Sequence, residues 1–551
     1  MAEENEIIEF FLKHSFLIDD ALKNKLLSTP DIFTEIKEKY ISGIDPGRLV
    51  LNTGLLDNIK SGQTKKEGDK EDIYGISEKN MTGNIPADEF QEKEDIFRYD
   101  EALSRKVRII SSYNKPSKER TFQDFVDYYN KRFSFLKSLI MKRQQFRDAT
   151  SINKILSIRN KQKVTTIGMV YEKTITRNNN IILRIEDNTG YIKVLINKNK
   201  NGLYKKAKNI NFDEVIGVSG VYDNILFVDE IYFPDVSLVS EYKKSPEEEY
   251  VLFIGDTHFG SKYFLKKEWE SFIEWINGKK GDEKQKEIIK KIKYLFFAGD
   301  LVDGVGNYPN HEKDLDIKDI KKQYSVFSEY LKQIPSHISI IVSPGNHDAG
   351  RLAEPQPPIY KDFAESLYEL DNVFLVSNPA VLNIGATDKF PGFNVLLYHG
   401  TSLIYYSDML EEVRKEGSFR AVDKVMKYLL ERRHLAPSHN SSLYVPDPDE
   451  DPLLIKTIPD FFITGHIHRI TVSNYHSTTM INASGWMDIS DYQKKRGIVP
   501  QAARVPLVNL KTREVKIINF LRKSKLEEEK ARDIHVLQEM KKIEKTKEVL
   551  T

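Results

Sequence analysis

Apolar and polar positions recur along this 551-residue chain with several periods, and the changes of period divide it into segments. From Glu6 to Tyr40, apolar residues such as Ile8, Phe11, Leu12, Leu17, Leu22 and Leu26 return at mixed three- and four-residue spacing, as on a helix face. Pro30 interrupts the pattern and Asp31 can cap a second helix. A small α-helical module over 1–58 is expected, suited equally to a structural bundle and to an interaction module. Apolar residues then thin out, as in Ser61-Gly-Gln-Thr-Lys-Lys-Glu-Gly-Asp-Lys-Glu71. So little apolar surface cannot offset the entropy of ordering, which predicts a flexible charged linker over 59–98. A helical connector over 99–160 follows, carrying a helix from Thr121 to Arg143.

From 161 to 240 the period becomes two. Strands are expected at Val164–Tyr171, Ile181–Ile185, Tyr191–Ile196, Val215–Val221 and Ile225–Phe233, with a short helix near Leu203–Ala207 after the third. Five short strands with that helix match the OB-fold β-barrel. Its Lys193, Lys198, Lys200, Lys205, Lys206 and Lys208 fit either a phosphate-binding face or a solvated or subunit-docking surface. Over 247–522 short apolar strands alternate with helical stretches (Trp269–Ile276, Ile317–Ile334, Asp408–Arg433), the pattern of a layered α/β domain. The Lys- and Glu-dense tail, 523–551, reads as a solvated helix or disordered segment, with partner contact as the lesser reading.

Composition narrows the chemistry. With 83 basic and 82 acidic side chains the net charge is +1, so no global attraction to nucleic acid or membrane is visible. The absence of cysteine excludes disulfides, thiolate zinc sites, iron–sulfur clusters and cysteine nucleophiles, leaving histidine, carboxylate and amide as metal ligands. No apolar run approaches a membrane span and no signal-peptide core is present, so a soluble, cytoplasmic protein is expected.

Five polar clusters directly follow apolar strands: Gly255-Asp-Thr-His258, Gly299-Asp-Leu-Val-Asp-Gly304, Gly345-Asn-His-Asp348, His399-Gly400 and Gly465-His-Ile-His468. Ligands of α/β sheets gather outside the carboxyl ends of strands, so this order predicts one shared site. Singly, an Asp-Xaa-His is more often a turn or cap; together the five are improbable by chance, and they hold five of the twelve histidines. Carboxylate, amide oxygen and imidazole suit a pair of hard or borderline divalent cations acting on a phosphate. His311, His434 and His476 read as surface or core residues.

These motifs resemble those of calcineurin-like metallophosphoesterases over about Tyr250–Leu510. The resemblance implies a layered β-sandwich flanked by helices, with Asp256, His258 and His468 on one metal and Asn346, His399 and His466 on a second. It implies that Asp300 bridges both, that His347 protonates the leaving oxygen or stabilises the transition state, that Asp348 orients His347, and that Asp303 supports the metal shell. A narrower similarity, to small subunits of archaeal family D DNA polymerases, rests on Ala298–Gly306 with Tyr308-Pro309, Pro344–Ala349 with Arg351, Ala353–Pro357, Arg433–Pro437 and Ile481–Trp486. It implies a 3′–5′ exonuclease that proofreads new DNA at a single-stranded 3′ end and uses two divalent ions, Mn²⁺ foremost, with Mg²⁺ or others as alternatives. It also implies a large polymerase subunit as partner and a nucleoid-associated location in a prokaryotic cell. Eukaryotic relatives of this subunit lack the metal motifs that this chain retains. It departs from the pattern at Met487, Asp488, Ile489 and Ser490, where glutamines and a threonine are usual, and at Ile404-Tyr405, where acidic residues are expected. A stand-alone phosphoesterase or repair nuclease, and a catalytically silent polymerase scaffold, are the rival readings.

Overall fold

A computed structural model of the chain describes residues 107–236, 241–490, 493, 499–534 and 538, with Leu17–Ile18, Leu26 and Val50–Leu51 further upstream. Two units are distinguished, Met1–Glu94 and Asp95–Thr551. In the first, Leu17–Ile18 pairs in parallel with Val50–Leu51. Leu17 was expected on a helix face; here it is extended because pairing supplies its backbone hydrogen bonds. Leu26, also expected on a helix face, is helical and buried; the rest of the expected helical module, and the linker over 59–98, lie outside the described residues.

The second unit contains two six-stranded sheets. In the first, β1 (Val107–Ser112) forms an edge beside β11 (Ala380–Ile384), β12 (Phe393–Leu397), β13 (Phe461–Thr464), β15 (Thr478–Asn482) and β14 (Thr471–Tyr475). The other has the order β10 (Val373–Leu375), β9 (Ser339–Ser343), β8 (Ile292–Ala298), β7 (Tyr250–Ile254), β16 (Arg504–Asn509) and β17 (Val515–Asn519). Strands β7 to β10 run parallel, as do β12, β13 and β15. Each central strand is buried on both faces, which is why it reads as a continuous apolar run rather than an alternation. In β8, Tyr294, Phe296 and Ala298 face the other sheet, whereas Leu295 and Phe297 face Trp269 of α4 (Lys266–Ile276) and Phe327 of α6 (Ile320–Leu331). On the far side, Tyr398 and Phe462 meet Leu403 of α8 (Ser402–Met409) and Leu429 of α10 (Val422–Arg432). The result is a helix–sheet–sheet–helix sandwich.

The strand at β1 corrects the expectation of a wholly helical connector. Its Val-Arg-Ile-Ile-Ser-Ser favours extended backbone, and antiparallel pairing with β11 fixes it there, so residues before the barrel belong to the sandwich. The expected helix over Asp408–Arg433 is broken into α8, α9 (Glu411–Lys415) and α10, with Gly417 and Ser418 left-handed between the last two. Between β1 and β7 lies a closed barrel of β2 (Gln162–Ile175), β3 (Ile181–Asp187), β4 (Gly190–Ile196), β6 (Ile225–Tyr232) and β5 (Val215–Asp223), with α3 (Asn201–Lys208) after β4. All five expected barrel strands and the helix are present. Three of its lysines are tied down: Lys200 to Asp229, Lys208 to Glu411 and Lys206 to the Ile231 carbonyl. The tail is helical over 523–534, and it is docked rather than free, through Glu529 to Arg504, Asp533 to Arg420 and Arg469, and Lys525 to Asp488.

Buried ion pairs lock these parts together. Arg132, on α1 (Phe122–Met141), is enclosed and gives Nε to Asp451 Oδ2 at 2.6 Å and Nη1 to the Pro437 carbonyl at 2.9 Å. His434 Nε2 meets the same Asp451 oxygen at 2.8 Å. Arg432 joins sandwich to barrel through Glu214 at 2.9 Å, with Tyr428 bonded to the other oxygen of Glu214. Removing one partner of such a pair leaves a charge uncompensated in a low-dielectric interior. Arg132→Ala is therefore expected to cost about 3–5 kcal/mol, read from urea unfolding of the full chain. A loss below about 1 kcal/mol, the range of a solvent-exposed pair, would show that this junction does not hold the unit together.

Candidate metal centre

The five motifs lie at carboxyl ends of strands from both sheets. Asp256 and His258 follow β7, Asp300 and Asp303 follow β8, Asn346 to Asp348 follow β9, His399 follows β12, and His466 and His468 follow β13. The backbone makes sharp turns to bring them together. Asp256, His258, Asp300, His466 and His468 all have left-handed φ, between +48° and +67°. Such conformations cost about 1–3 kcal/mol each and persist only where surrounding structure enforces them. Here Asp256 N bonds Gly299 O and His258 N bonds Asp300 O, both at 3.0 Å, while His466 N bonds the Asp256 carboxylate at 2.9 Å. Two glycines are required by close approach: a Cβ at Gly345 would collide with Asp300 Oδ1, and one at Gly465 would lie 2.7 Å from Asp256 Oδ2.

All seven expected ligands converge, in two overlapping groups. His399 gives Nδ1–H to the Ala298 carbonyl at 2.8 Å, so in the neutral ring its Nε2 carries the lone pair. That lone pair faces Asn346 Oδ1 at 2.9 Å, His466 Nδ1 at 3.1 Å and Asp300 Oδ2 at 3.3 Å. In the other group His258 Nδ1–H is held by Asp303 Oδ1 at 3.0 Å, which leaves its Nε2 lone pair 3.2 Å from His468 Nε2 and 3.7 Å from Asp300 Oδ2. His468 Nε2 is also 3.4 Å from Asp256 Oδ1. His466 Nε2 is buried without a hydrogen-bond partner. Acceptor atoms aimed at one another with too few hydrogens between them repel unless a cation lies among them. The donor set therefore fits two divalent ions, with Asp300 Oδ2 between the groups at 3.3 Å from His399 Nε2 and 3.7 Å from His258 Nε2, and carboxylate, amide and imidazole are ligands for hard to borderline metals.

Electrostatics point the same way. Burial opposes ionisation of Asp300, but the surrounding histidines more than offset it and hold the carboxyl well below its usual range. Burial pulls His399 down, while Asp300 and Asp256 pull it up further, to about 10. His468 is raised by the same carboxylates, again against burial. His466, buried and beside His399, falls to about 3.

The surrounding residues correct one expectation. Asp348 does not contact the His347 ring: its carboxylate accepts from Gly345 N at 2.8 Å, Leu301 N at 3.2 Å, Val302 N at 3.4 Å and Tyr324 Oη at 2.9 Å. It fastens the second motif loop to the third, with burial and the nearby Asp300 charge pushing it up to about 7. A carboxylate bonded to four donors cannot also reach the imidazole. His347 instead has Nδ1 2.8 Å from the Asp303 carbonyl and 3.0 Å from Asn307 Nδ2. Asp303 bonds His258 with one oxygen and His311 Nε2 at 3.3 Å with the other. Asn307 and His311 are the participants that sequence reasoning missed. Neither follows a strand directly, and only their closeness to the Gly299–Gly304 motif could have flagged them. Of the departures, Ser490 bonds Gln493, whose amide lies 3.4 Å from His468 Nδ1, so that segment approaches a ligand at one remove. Ile404 is exposed.

A two-sheet sandwich with this ligand constellation defines a metallophosphoesterase, and residues 250–469 match the calcineurin-like phosphoesterase family. Similarity extends further along the chain. It is 39% identical over 393 residues to the DNA polymerase II small subunit of Methanocaldococcus jannaschii, covering 71% of this chain and 64% of that protein. For the subunits of the same name from Methanothermobacter thermautotrophicus and Archaeoglobus fulgidus the identities are 37% and 38%, covering 73% and 71% of this chain and 80% and 76% of theirs. The chain belongs to the family of DNA polymerase II small subunits.

Because His399 is protonated in the metal-free protein below about pH 10 and a ligand imidazole must be neutral, cation uptake has to displace a proton. Apparent affinity should rise with pH between about 6 and 8, by roughly tenfold per unit for each proton displaced. Calorimetric titration with Mn²⁺ in buffers of differing ionisation enthalpy would register the release, and pH-independent binding without it would contradict this donor set.

Proposed function

We propose that the chain is the 3′–5′ exonuclease and scaffold subunit of a two-subunit DNA polymerase, removing mismatched nucleotides from a single-stranded 3′ end. The observation that carries this reading is the pair of ligand groups, Asp256 with His258 and His468 and Asp300 with His399 and His466, with Asp300 Oδ2 also 3.7 Å from His258 Nε2 and His347 beside them, partly open to solvent. Asp256, His258 and His468 would hold one divalent ion, Asn346, His399 and His466 the second, and Asp300 both; Mn²⁺ is the ion we favour. Bound there, such ions supply charge neutralisation at a phosphate and acidify a water. The chain's own residues do the remaining work. His347, with Nδ1 engaged by the Asp303 carbonyl, has Nε2 left to protonate the departing 3′ oxygen. Asp348 positions the Gly299 and Gly345 loops, and Asp303 orients His258.

We read the barrel as an OB fold. Its tied lysines and its buried junction with the sandwich favour a docking platform for a large polymerase subunit over a phosphate-binding face. The intact ligand set favours catalysis over a silent scaffold. No described helix is long and apolar enough to cross a membrane, and a nucleoid-associated role suits the reading.

His347→Ala should lower the rate of 3′ degradation of single-stranded and mismatched DNA by on the order of 10²–10⁴-fold, the usual contribution of a positioned acid. Gel assays on 3′-mismatched primers with Mn²⁺ test this. A variant degrading DNA as fast as the parent would refute the mechanism.

A further inference from the structure

We propose that Asn307 is a positioning residue for His347, holding the imidazole where it can protonate the leaving oxygen; the inference rests on the exonuclease reading above. Asn307 lies in an exposed loop, yet its amide turns inward. Nδ2 donates to the Asp303 carbonyl at 2.9 Å and lies 3.0 Å from His347 Nδ1. The same carbonyl accepts Nδ1–H of His347 at 2.8 Å. The two N–H groups share one carbonyl, so Asn307 acts on the ring through the Asp303 carbonyl, which holds the Nδ1 edge and leaves Nε2 as the nitrogen available to substrate. An asparagine serving only as a loop former bonds its own backbone about two residues on. This one instead folds back to the Asp303 carbonyl and lies against a histidine 40 residues away that shares the same acceptor.

The loop carrying Asn307 is itself fastened. Gly304 takes a left-handed φ of +77°, and a Cβ there would lie 2.6 Å from the Asn307 amide nitrogen, so glycine lets the side chain fold back. Buried Gln323 bonds both Gly304 N, at 2.9 Å, and Gly304 O, at 3.0 Å. His311 accepts from Asn307 N at 3.3 Å through Nδ1, and its Nε2–H faces the Asp303 carboxylate at 3.3 Å. Ordering an exposed side chain this thoroughly costs entropy, which an unemployed asparagine need not lose.

In the reaction, an oxygen from water bonds to phosphorus, the water's proton passes to solvent, and the P–O3′ bond breaks. Its electron pair goes to the 3′ oxygen, which takes the proton from His347 Nε2. A poorly held imidazole slows this step only where the leaving oxygen needs a proton. DNA, with its alkoxide leaving group, needs one; bis(p-nitrophenyl) phosphate, which releases a weakly basic phenolate, does not.

The test compares Asn307→Ala, His347→Ala and the parent, as full chains loaded with Mn²⁺, on 3′-mismatched DNA and on bis(p-nitrophenyl) phosphate, with bound metal measured for each. Asn307→Ala should lose on the order of 10- to 100-fold in kcat on DNA, with KM and metal content unchanged, and less than about threefold on the phenyl ester. Equal losses on both substrates would mean a merely structural role and overturn the proposal. So would an unimpaired Asn307→Ala beside a His347→Ala impaired on DNA. If His347→Ala itself lost nothing on DNA, the exonuclease mechanism would fall, and this inference with it.

Discussion

The site is organised by electrostatic frustration that protein atoms alone do not relieve. Asp300, Asp256, Asn346 and four imidazoles direct lone pairs into one small buried volume, and the hydrogens that could have linked them are spent elsewhere. His399 spends its Nδ1–H on the Ala298 carbonyl and His258 spends its own on Asp303. What remains attracts positive charge strongly. In the metal-free protein that charge is a proton, held on His399 up to about pH 10; for catalysis it must be exchanged for cations.

Holding such a cluster together is costly, and the rest of the fold shows how it is done. Two parallel-stranded regions, each buried on both faces, bring their carboxyl ends to the same edge of the sandwich. The five left-handed ligand backbones are then enforced by hydrogen bonds between motifs rather than within them. Asp348 is the clearest instance, since its four donors come from two motif loops and from α6. Farther out, the enclosed Arg132–Asp451–His434 and Arg432–Glu214 groups bind connector and barrel to the sandwich. Such a junction holds barrel and sandwich rigidly to one another.

Much of this was legible in the chain because the governing signals are local. Strand, glycine and ligand occur within a few residues of one another in each motif, so chain order alone foretold the convergence of Asp256, Asp300, Asn346, His399, His466 and His468. The barrel was equally readable, several of its strands, such as Ile181–Asp187 and Gly190–Ile196, alternating buried and more exposed positions. What escaped depended on contacts distant in sequence. Strand β1 is fixed by pairing with residues 380–384, which no local pattern announces. The neighbour of His347 is Asn307 rather than Asp348, because side-chain direction after a left-handed turn is set by the tertiary fold. His311 read as an ordinary histidine until Asp303 was found against it.

The central claim is that one carboxylate, Asp300, serves two cations at once. Electron paramagnetic resonance of the full chain loaded with two equivalents of Mn²⁺ tests it most directly. A shared carboxylate bridge predicts the multiline hyperfine pattern of an exchange-coupled pair, collapsing to that of an isolated ion in Asp300→Ala. The pattern of uncoupled Mn²⁺ in the unaltered protein would contradict the account.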